Sequence, residues 1–451
     1  MSKIKQYIDR LASTTKRKEK AEILEEIKNS ENNSLFLKTA ELALDPRHKF
    51  NIIEYDTDNA TNDGEIDLDE ALESLNQYLV IEQLRGEEAK DLVEDLYSGL
   101  SSDDAYVFKN VIDRTLKCGV SSKTINSIWP DAIYEHPHMR CSSFNEKNMQ
   151  KIHLPAYSQL KEDGRYIDIA VDSLKNVVEY RSRQGEYDPW NYSVHDDILL
   201  NVSQNMVLMG EALVYDEDND EIMPREIGNG YLNSNDADPE CIVYRLWDCV
   251  PIEDWHEHEC HLPYEERLQT LINIVEQLPE NFSLVDTREC HTKDEIISHF
   301  RENVSEGLEG SVIKNKDSIW KSGTSKDQVK MKPTFEVDLR VIDVYEGEKN
   351  KKYENMLGGL ICHSLDGDAI VHVGSGFSDQ QRKELWNNSE WIIDKIVTVK
   401  TSDVKSSENN DYYTLSNPVF VETRKDKVEE DNLNDLFEQK NQSVNSIKLK
   451  E

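Results

Sequence analysis

The chain has 451 residues, with 52 Lys plus Arg against 89 Asp plus Glu, and its formal net charge is −37. Hydrophobic residues make up 37% and charged residues 31%. This composition supports several small cores and excludes wholesale disorder, and at about 150 residues per domain the length corresponds to roughly three domains.

The sequence predicts neither a membrane span nor a secretory signal, because no run approaches about 18 consecutive apolar residues and the amino-terminal stretch lacks an apolar core. The seven cysteines are sparse, odd in number and without CxxC spacing. This usage is typical of a reducing cytoplasm and argues against a disulfide scaffold or a four-cysteine zinc site. The acidity is a global sum and leaves room for a local basic cleft, so it does not exclude nucleic acid.

Residues 1–133 are predicted to form an all-α domain. Ile4, Ile8 and Leu11 recur at helical spacing, and similar apolar stripes continue to a helix that Gly119 ends. Two further amphipathic helices are expected between Asp67 and Leu100, with a break near Arg85-Gly86.

Residues 134–333 are predicted to form an α/β domain, because short strand-like runs alternate there with helical segments. The predicted strands are Tyr166–Val171, Asn176–Tyr180, Met206–Tyr215, Ile242–Val250 and Ser311–Lys314, and the predicted helices are Tyr264–Gln277 and Lys293–Asn303.

Beyond Pro333 the pattern is mostly alternating strand, which predicts a small β-barrel over residues 334–427. The predicted strands are Phe335–Tyr345, Gly359–His363, Ala369–Val373, Ile396–Thr401 and Tyr412–Leu415. Residues 428–451 are polar and are expected to form a frayed C-terminal tail around one short helix, Leu433–Phe437.

The segment Ser158-Gln-Leu-Lys161-Glu-Asp163-Gly164-Arg165-Tyr166 is the most informative part of the sequence. A lone Lys-x-Asp-Gly is a common surface turn, but here it heads an ordered series with the charge types that a nucleotide site needs. The series continues with Ser182-Arg183-Gln-Gly185, Gly210-Glu211, Trp247-Asp248, Glu309-Gly310 with Lys314, Lys330-Met-Lys332 and Arg424-Lys-Asp-Lys427.

This ordered set resembles the covalent nucleotidyltransferases, and among them the ATP-dependent DNA ligases, in particular those of large tailed bacteriophages. The resemblance spans nearly the whole chain and includes Ile128-Trp-Pro130, Trp247-Asp-Cys-Val-Pro251 and Val373-Gly-Ser-Gly376. It implies a multidomain α+β fold with an all-α N-terminal DNA-binding domain, an α/β adenylation domain and a C-terminal OB-fold β-barrel.

The resemblance implies that Lys161 is the catalytic nucleophile, which attacks the α-phosphorus of ATP and forms lysyl-AMP. A free lysine has a pKa of about 10.4 and is protonated at neutral pH, so the amine has to be activated. Lys330 and Lys332, which alternate along a predicted strand, would disfavour a third ammonium group beside them.

The resemblance implies roles for other residues too. Gln159 would read the adenine edge, and Trp247 would stack on the adenine ring. The implied nucleotide-binding residues are Gln159, Arg183, Glu211, Trp247, Lys330 and Lys332; Glu211 and Glu309 would hold Mg²⁺; Asp163, Arg165, Arg424 and Lys427 would contact the nick, the DNA or the leaving group.

Two positions depart from the family pattern. The family usually has Lys-x-Asp-Gly-x-Arg, whereas Arg165 directly follows Gly164 here and Tyr166 occupies the usual arginine position. On a strand this shift turns the arginine to the other face unless a bulge restores it. Met209 also stands where the family commonly has Asp before Gly-Glu.

The predicted function is an ATP-dependent DNA ligase that seals 5′-phosphate/3′-hydroxyl nicks in duplex DNA through lysyl-AMP and adenylated DNA. It would use ATP and Mg²⁺, act as a monomer without a membrane partner, and serve DNA replication, repair and recombination in the cytoplasm, or the host cytoplasm if viral. The alternatives are an RNA ligase or capping-type nucleotidyltransferase, and a non-catalytic DNA-end-binding protein. The helical N-terminal domain and the closing Arg-x-Asp-Lys favour the DNA ligase.

Overall fold

The computed structural model describes residues 2–52, 54–57, 60–187, 195–234, 237–349, 352–406 and 411–449. It divides into two compact units, Met1–His136 with Arg183–Glu186, and Pro137–Ser182 with Tyr187–Glu451. Within the described ranges, no helix is long and apolar enough to cross a membrane.

The elements of the first unit are helices. They are α1 (Lys3–Ala12), α2 (Arg17–Lys28), α3 (Asn33–Leu44), α4 (Leu68–Leu75), a π-helical turn (Asn76–Ile81), α5 (Glu87–Gly99), α6 (Ser102–Ile112) and α7 (Ser122–Asn126). Their apolar stripes form one core in which Leu11, Leu24, Phe36 and Phe108 are fully buried. The expected break falls where predicted, since α5 begins directly after Gly86.

The second unit begins with an α/β region of thirteen strands and six helices in its described part. The strands are β1 (Met139–Ser143), β2 (Ala156–Leu160), β3 (Arg165–Asp172), β4 (Val177–Arg181), β5 (Met206–Asp216), β6 (Glu221–Ile222), β7 (Ile242–Pro251), β8 (Glu259–Cys260), β9 (Phe282–Leu284), β10 (Thr287–Cys290), β11 (Ser311–Asn315), β12 (Trp320–Lys321) and β13 (Gly323–Met331). The helices are α8 (Glu146–Met149), α9 (Asp196–Val202), α10 (Arg225–Leu232), α11 (Ile252–His256), α12 (Tyr264–Val275) and α13 (Lys293–Ser305).

Two larger sheets organise this region. One has the strand order β1-β13-β11-β2-β10, and the other runs β4-β3-β5-β7-β9 with β6 paired to β5. Residues 166–171 of β3 are all buried, so both faces of this strand are covered. The second sheet packs α12 against β7, and the first packs α13 against β2, β10 and β11.

A third sheet follows and has the order β16-β15-β14-β17-β20, with β18 and β19 forming a separate pair. The elements are β14 (Phe335–Glu346), β15 (Leu357–His363), β16 (Ile370–Val373), α14 (Asp379–Asn387), α15 (Ser389–Ile392), β17 (Ile396–Thr401), β18 (Asp403–Ser406), β19 (Tyr413–Ser416) and β20 (Val419–Arg424).

The predicted closed barrel is not found among the described residues; the third sheet is open. Single bridges, Ala369 to Tyr413 and Ser375 to Val419, stand where a barrel would need a continuous ladder of paired strands. The physical reason is local. Strand β16 ends before the Gly374-Ser-Gly376 segment, where Gly376 has φ 97° and a Cβ atom would lie 2.2 Å from the carbonyl oxygen of Phe420.

The C-terminal segment also differs from the expected frayed tail. Helix α16 spans Leu433–Ser446 and has 14 residues, whereas the predicted helix ended at Phe437. Its Asn432 N-cap forms a capping box with Asp435, which satisfies exposed backbone N–H groups at the helix start. Apolar side chains on it are buried, which composition alone did not indicate.

Candidate active site

Lys161 lies directly after β2, in the loop that leads into β3. Strand β2 is held on both sides, by β11 and by β10. The backbone N–H of Lys161 donates to the carbonyl oxygen of Gly310 at 3.0 Å, and that of Leu160 donates to Asp286 at 2.8 Å. The lysine side chain therefore projects from a rigid support.

Lys161 and Lys332 flank one carboxylate, and Lys330 lies close enough to Lys332 to influence its charge; we call these three residues the lysine cluster. The ammonium group of Lys161 donates to Glu309, and the Nζ atom of Lys332 lies 3.9 Å from an oxygen of the same carboxylate. Burial lowers the pKa of Lys332, Glu309 opposes this, and the charges of Lys161 and Lys330 lower the pKa further. The cluster thus places cations where a nucleotide phosphate would be stabilised.

Gly310 allows this cluster to form. Its φ is 141°, and a Cβ atom would lie 2.2 Å from the carbonyl oxygen of Met331. Only glycine tolerates both that backbone conformation and that approach. The close approach brings Glu309, which lies just before β11, beside Lys332, which directly follows β13.

Gln159 presents a buried hydrogen-bond acceptor close to Lys161 in the chain. It is 2% exposed, its Nε2 donates to Thr287 at 2.9 Å, and its Oε1 is buried without a hydrogen-bond partner among the described residues. An unpaired buried acceptor is costly, so a ligand N–H group that reaches it gains affinity.

Trp247 is half-buried, and its ring centroid lies 5.9 Å from that of Tyr166. Its carbonyl oxygen accepts from the hydroxyl of Tyr264 at 2.7 Å. Lys314 lies against the same two residues, 3.5 Å from the Trp247 carbonyl and 3.4 Å from the Tyr264 hydroxyl. Burial lowers the pKa of Lys314 to about 8.

A Ser–His–Asp hydrogen-bond chain lies behind β2. The two His299 ring nitrogens lie 2.7 Å from Ser158 Oγ and 3.0 Å from Asp286. Ser158 is 0% exposed and His299 is 1% exposed, so no substrate reaches the serine. We therefore read this chain as a support for β2 and not as a nucleophilic triad.

Two cations that the sequence reasoning missed contact Asp163. The Nη1 atom of Arg225, the first residue of α10, donates to it at 2.8 Å, and the Nζ atom of Lys405, in β18, lies 3.5 Å away. No sequence signal marked either residue, because both lie far from Asp163 in the chain and outside the ordered motifs.

Arg165 stays on the face that the shifted motif predicts. The register of β3 with β5 runs without a shift from Arg165 to Val171, so no bulge restores the arginine. Its guanidinium donates to Asn233 at 2.7 Å. Tyr166 is buried instead, and its hydroxyl donates to Asp168.

The remaining predicted cations lie elsewhere. Arg183 is exposed in the Arg183–Glu186 turn, which groups with the first compact unit, so its phosphate contact stays a prediction. Arg424 pairs with Asp338 at 2.9 Å, and Lys427 pairs with the same carboxylate at 2.8 Å. Among the described residues, the ion pairs of Arg424 and Lys427 are thus with carboxylates of their own domain and not with the lysine cluster.

The donor set fits a divalent cation. Burial disfavours the charge of Arg225, but Asp163, Glu309 and Glu211 together hold the pKa of its guanidinium above its ordinary value. Glu211 and Glu309 therefore both lie within electrostatic range of one guanidinium, although they come from different sheets. Carboxylate oxygens are the donors that Mg²⁺ prefers.

Two family models match parts of this chain. Residues 138–332 match the family model described as an ATP dependent DNA ligase domain, and residues 348–424 match the one described as a DNA ligase OB-like domain. The first match contains the lysine cluster, Gln159, Glu211, Trp247 and Glu309. The second lies on the open third sheet.

Similar proteins cover nearly the whole chain. The DNA ligases of Enterobacteria phages T6 and T4 are each 26% identical to it over 425 residues, which is 83% of this chain and 86% of the phage protein. A solved structure named Pmar-Lig_PreS3 superposes with a TM-score of 0.76 at 21% identity and covers 94% of this chain and 100% of its own. At that identity the likeness concerns the fold.

Proposed function

This chain belongs to the ATP-dependent DNA ligase family, and we propose that Lys161 is the residue on which it carries AMP. The predicted enzyme class is confirmed by the two domain models and the phage relatives. The observation that carries the residue assignment is the contact of Lys161 with Glu309 inside the lysine cluster.

The first step needs Lys161 as a neutral amine. Lys330 and Lys332 bring two further positive charges close to this amine. The amine then attacks the α-phosphorus of ATP, a P–N bond forms, and the bond to pyrophosphate breaks. The same ammonium groups stabilise the charge that builds up on the phosphoryl oxygens.

Two transfers complete the reaction. An oxygen of the DNA 5′-phosphate attacks the phosphorus of lysyl-AMP, and the lysine nitrogen leaves. The 3′-hydroxyl of the nick then attacks the activated 5′-phosphorus, and AMP leaves. Positioning supplies most of the rate in such transfers, which suits a lysine fixed by a central strand.

Binding roles follow the same geometry. Gln159 accepts a hydrogen bond from the adenine amino group, and Trp247 lies against the ring. Glu211 and Glu309 hold Mg²⁺, which when bound neutralises phosphate charge. Asp163, Arg165 and Arg183 belong to the nick side, and Arg424 and Lys427 to the pyrophosphate.

The finer parts of the function rest on separate observations. The helical first unit is the DNA-binding part, and the open third sheet serves as an OB-like domain, with single bridges at its open edge. Every residue needed lies on one chain, so a monomer suffices. All seven cysteines are free, as in a reducing cytoplasm, where the enzyme serves DNA replication, repair and recombination.

Label transfer tests the assignment of Lys161. Wild type with α-labelled ATP and Mg²⁺ should give a covalent AMP adduct, and Lys161→Ala should give none. Lys326→Ala, an exposed lysine on the same strand as Lys330, is the matched control and should label normally. An adduct that survives in Lys161→Ala refutes the assignment.

Sealing of nicked DNA but not nicked RNA then separates a DNA ligase from an RNA ligase.

A further inference from the structure

The first half of helix α16 packs on the OB-like domain. Leu436 is fully buried in the core of that domain. The ring of Phe437 meets that of Tyr413 edge-on, with centroids 5.7 Å apart. Lys440 also pairs with Asp403 at 2.5 Å. This half of the helix is therefore part of the OB-like domain.

The second half and the residues after it pack on the α/β region of strands β1 to β13, which we call the nucleotidyltransferase domain. Val444 is 8% exposed and belongs to the same core cluster as Phe300 of α13, and Ile447 and Leu449 pack against that cluster. The Nη2 atom of Arg301 donates to the carbonyl oxygens of Asn445 and Ile447, at 2.8 and 3.2 Å. One helix thus joins two domains, with a separate apolar contact at each end.

In the arrangement with this helix docked on both domains, Arg424 and Lys427 are engaged by carboxylates of the OB-like domain. Lys427 lies 2.7 Å from Asp431, directly before the helix, and both cations pair with Asp338 inside the OB-like domain. Lys405 of the OB-like domain does reach the site, where it pairs with Asp163.

We propose that α16 is a strap whose C-terminal half must leave the nucleotidyltransferase domain before Lys161 can be adenylated. With the strap docked, Arg424 and Lys427 stay bound to Asp338 and the enzyme is arranged for the DNA steps. With it released, the OB-like domain can present them to the pyrophosphate. This inference rests on the proposed function of Lys161, Arg424 and Lys427.

The strap has a docked and a released state, and self-adenylation needs the released state whereas the DNA steps need the docked one. The observed rate of self-adenylation scales with the fraction of molecules in which the strap is released, and each apolar contact at its end lowers that fraction. Weakening the contact should therefore speed the first step and slow the later ones, a pattern that ordinary destabilisation does not produce.

The test measures both half-reactions in single turnover on the full-length enzyme. Val444→Asp with Ile447→Asp should speed self-adenylation at least about fivefold and slow sealing of a pre-adenylated nick by a similar factor. Asn441→Asp, on the exposed side of the same helix, is the matched control and should change neither rate. Unchanged or slower self-adenylation with normal sealing would overturn the proposal.

A milder variant guards against loss of folding. Arg301→Ala removes the two hydrogen bonds to the strap and leaves the apolar core intact, so it should shift the rates in the same directions by a smaller factor.

Hydrogen exchange of residues 441–449 should rise when ATP and Mg²⁺ are added and fall on nicked DNA; no change in either state contradicts a strap. If wild type forms no Lys161 adduct, the proposed function fails first and separately.

Discussion

Charge and burial set the behaviour of single side chains around Lys161. Glu309 contacts Lys161 and Lys332, while Asp163 holds Arg225 and Lys405. Four cations of the site, Lys161, Lys332, Arg225 and Lys405, therefore each have a carboxylate partner. A phosphate that enters has to replace these carboxylates, which favours a ligand with several negative charges over one with few.

Gln159 should determine recognition of the adenine amino group. Its Oε1 is buried without a partner in the described part of the chain, and such an acceptor costs about 1–3 kcal/mol. Gln159→Leu should raise the KM for ATP in self-adenylation about 10- to 100-fold, with a smaller change in the rate at saturation. With purine riboside triphosphate, which lacks the amino group, wild type and variant should have similar KM values. An equal rise for both triphosphates would show that Gln159 does not read that group.

Lys314 should make stability depend on pH. Burial lowers its pKa from 10.5 to about 8, so the folded state binds the proton less tightly than the unfolded state. Lys314 therefore costs no folding stability above pH 10.5. The stability of the folded state decreases as the pH falls from 10.5 to about 8, and it stays lower below that pH. At neutral pH the buried ammonium costs up to about 3 kcal/mol.

Lys314→Met should accordingly raise the urea midpoint at pH 7, and the gain should shrink between pH 8 and 10. Lys326→Met, at an exposed position, serves as the control and should show no such trend. A difference that is constant across this pH range would mean that Lys314 does not titrate there.

Strand ends position the site at the scale of elements. Lys161 follows β2, Glu309 precedes β11, and Lys332 follows β13, and these three strands are neighbours in one sheet. The site therefore depends on how closely the strand ends approach each other, and less on the loops around them. Gly310 sets that distance for two of the three.

Gly310→Ala should reduce self-adenylation at least about 100-fold, because the new Cβ atom would meet the carbonyl oxygen of Met331 and the backbone strain alone costs about 1–3 kcal/mol. Displacement of Glu309 from Lys332 adds to the loss. Gly230→Ala, in α10 with open space around it, is the control and should be nearly neutral. Measured label transfer within threefold of wild type for Gly310→Ala would show that this approach is not needed.

The arrangement of domains decides which step the whole molecule is prepared for. Arg424 and Lys427 lie in the OB-like domain, paired with Asp338, while Lys405 of the same domain reaches Asp163. Since Arg424 and Lys427 are proposed to orient pyrophosphate, the first step needs another placement of this domain.

Arg424→Ala should therefore impair self-adenylation more than sealing of pre-adenylated DNA, by about tenfold or more in the ratio of the two rates. Lys400→Ala, an exposed lysine of β17, is the control and should leave that ratio unchanged. Equal losses in both half-reactions would place Arg424 outside the first step.

The order of motifs along the chain, through its resemblance to a known family, was sufficient to predict the family and about half of the strands that the structure describes. These properties are local: a lysine before Asp-Gly, an apolar alternation or a helical stripe is encoded within a few residues. For Arg165 the sequence predicted a change of face unless a bulge restored it, and the register of β3 with β5 contains no bulge.

Only the tertiary structure revealed the contacts of Arg225 and Lys405 with Asp163, the open third sheet and the docking of α16. Arg225 is 62 residues from Asp163 and Lys405 is 242 residues away, so no periodicity links them. The polar composition of residues 428–451 did not predict the length of helix α16. The helix is stabilised by a few apolar side chains, such as Leu436 and Val444, which are buried in the cores of two different domains. Long-range packing depends on shape and on which surfaces meet, and a linear pattern does not record either.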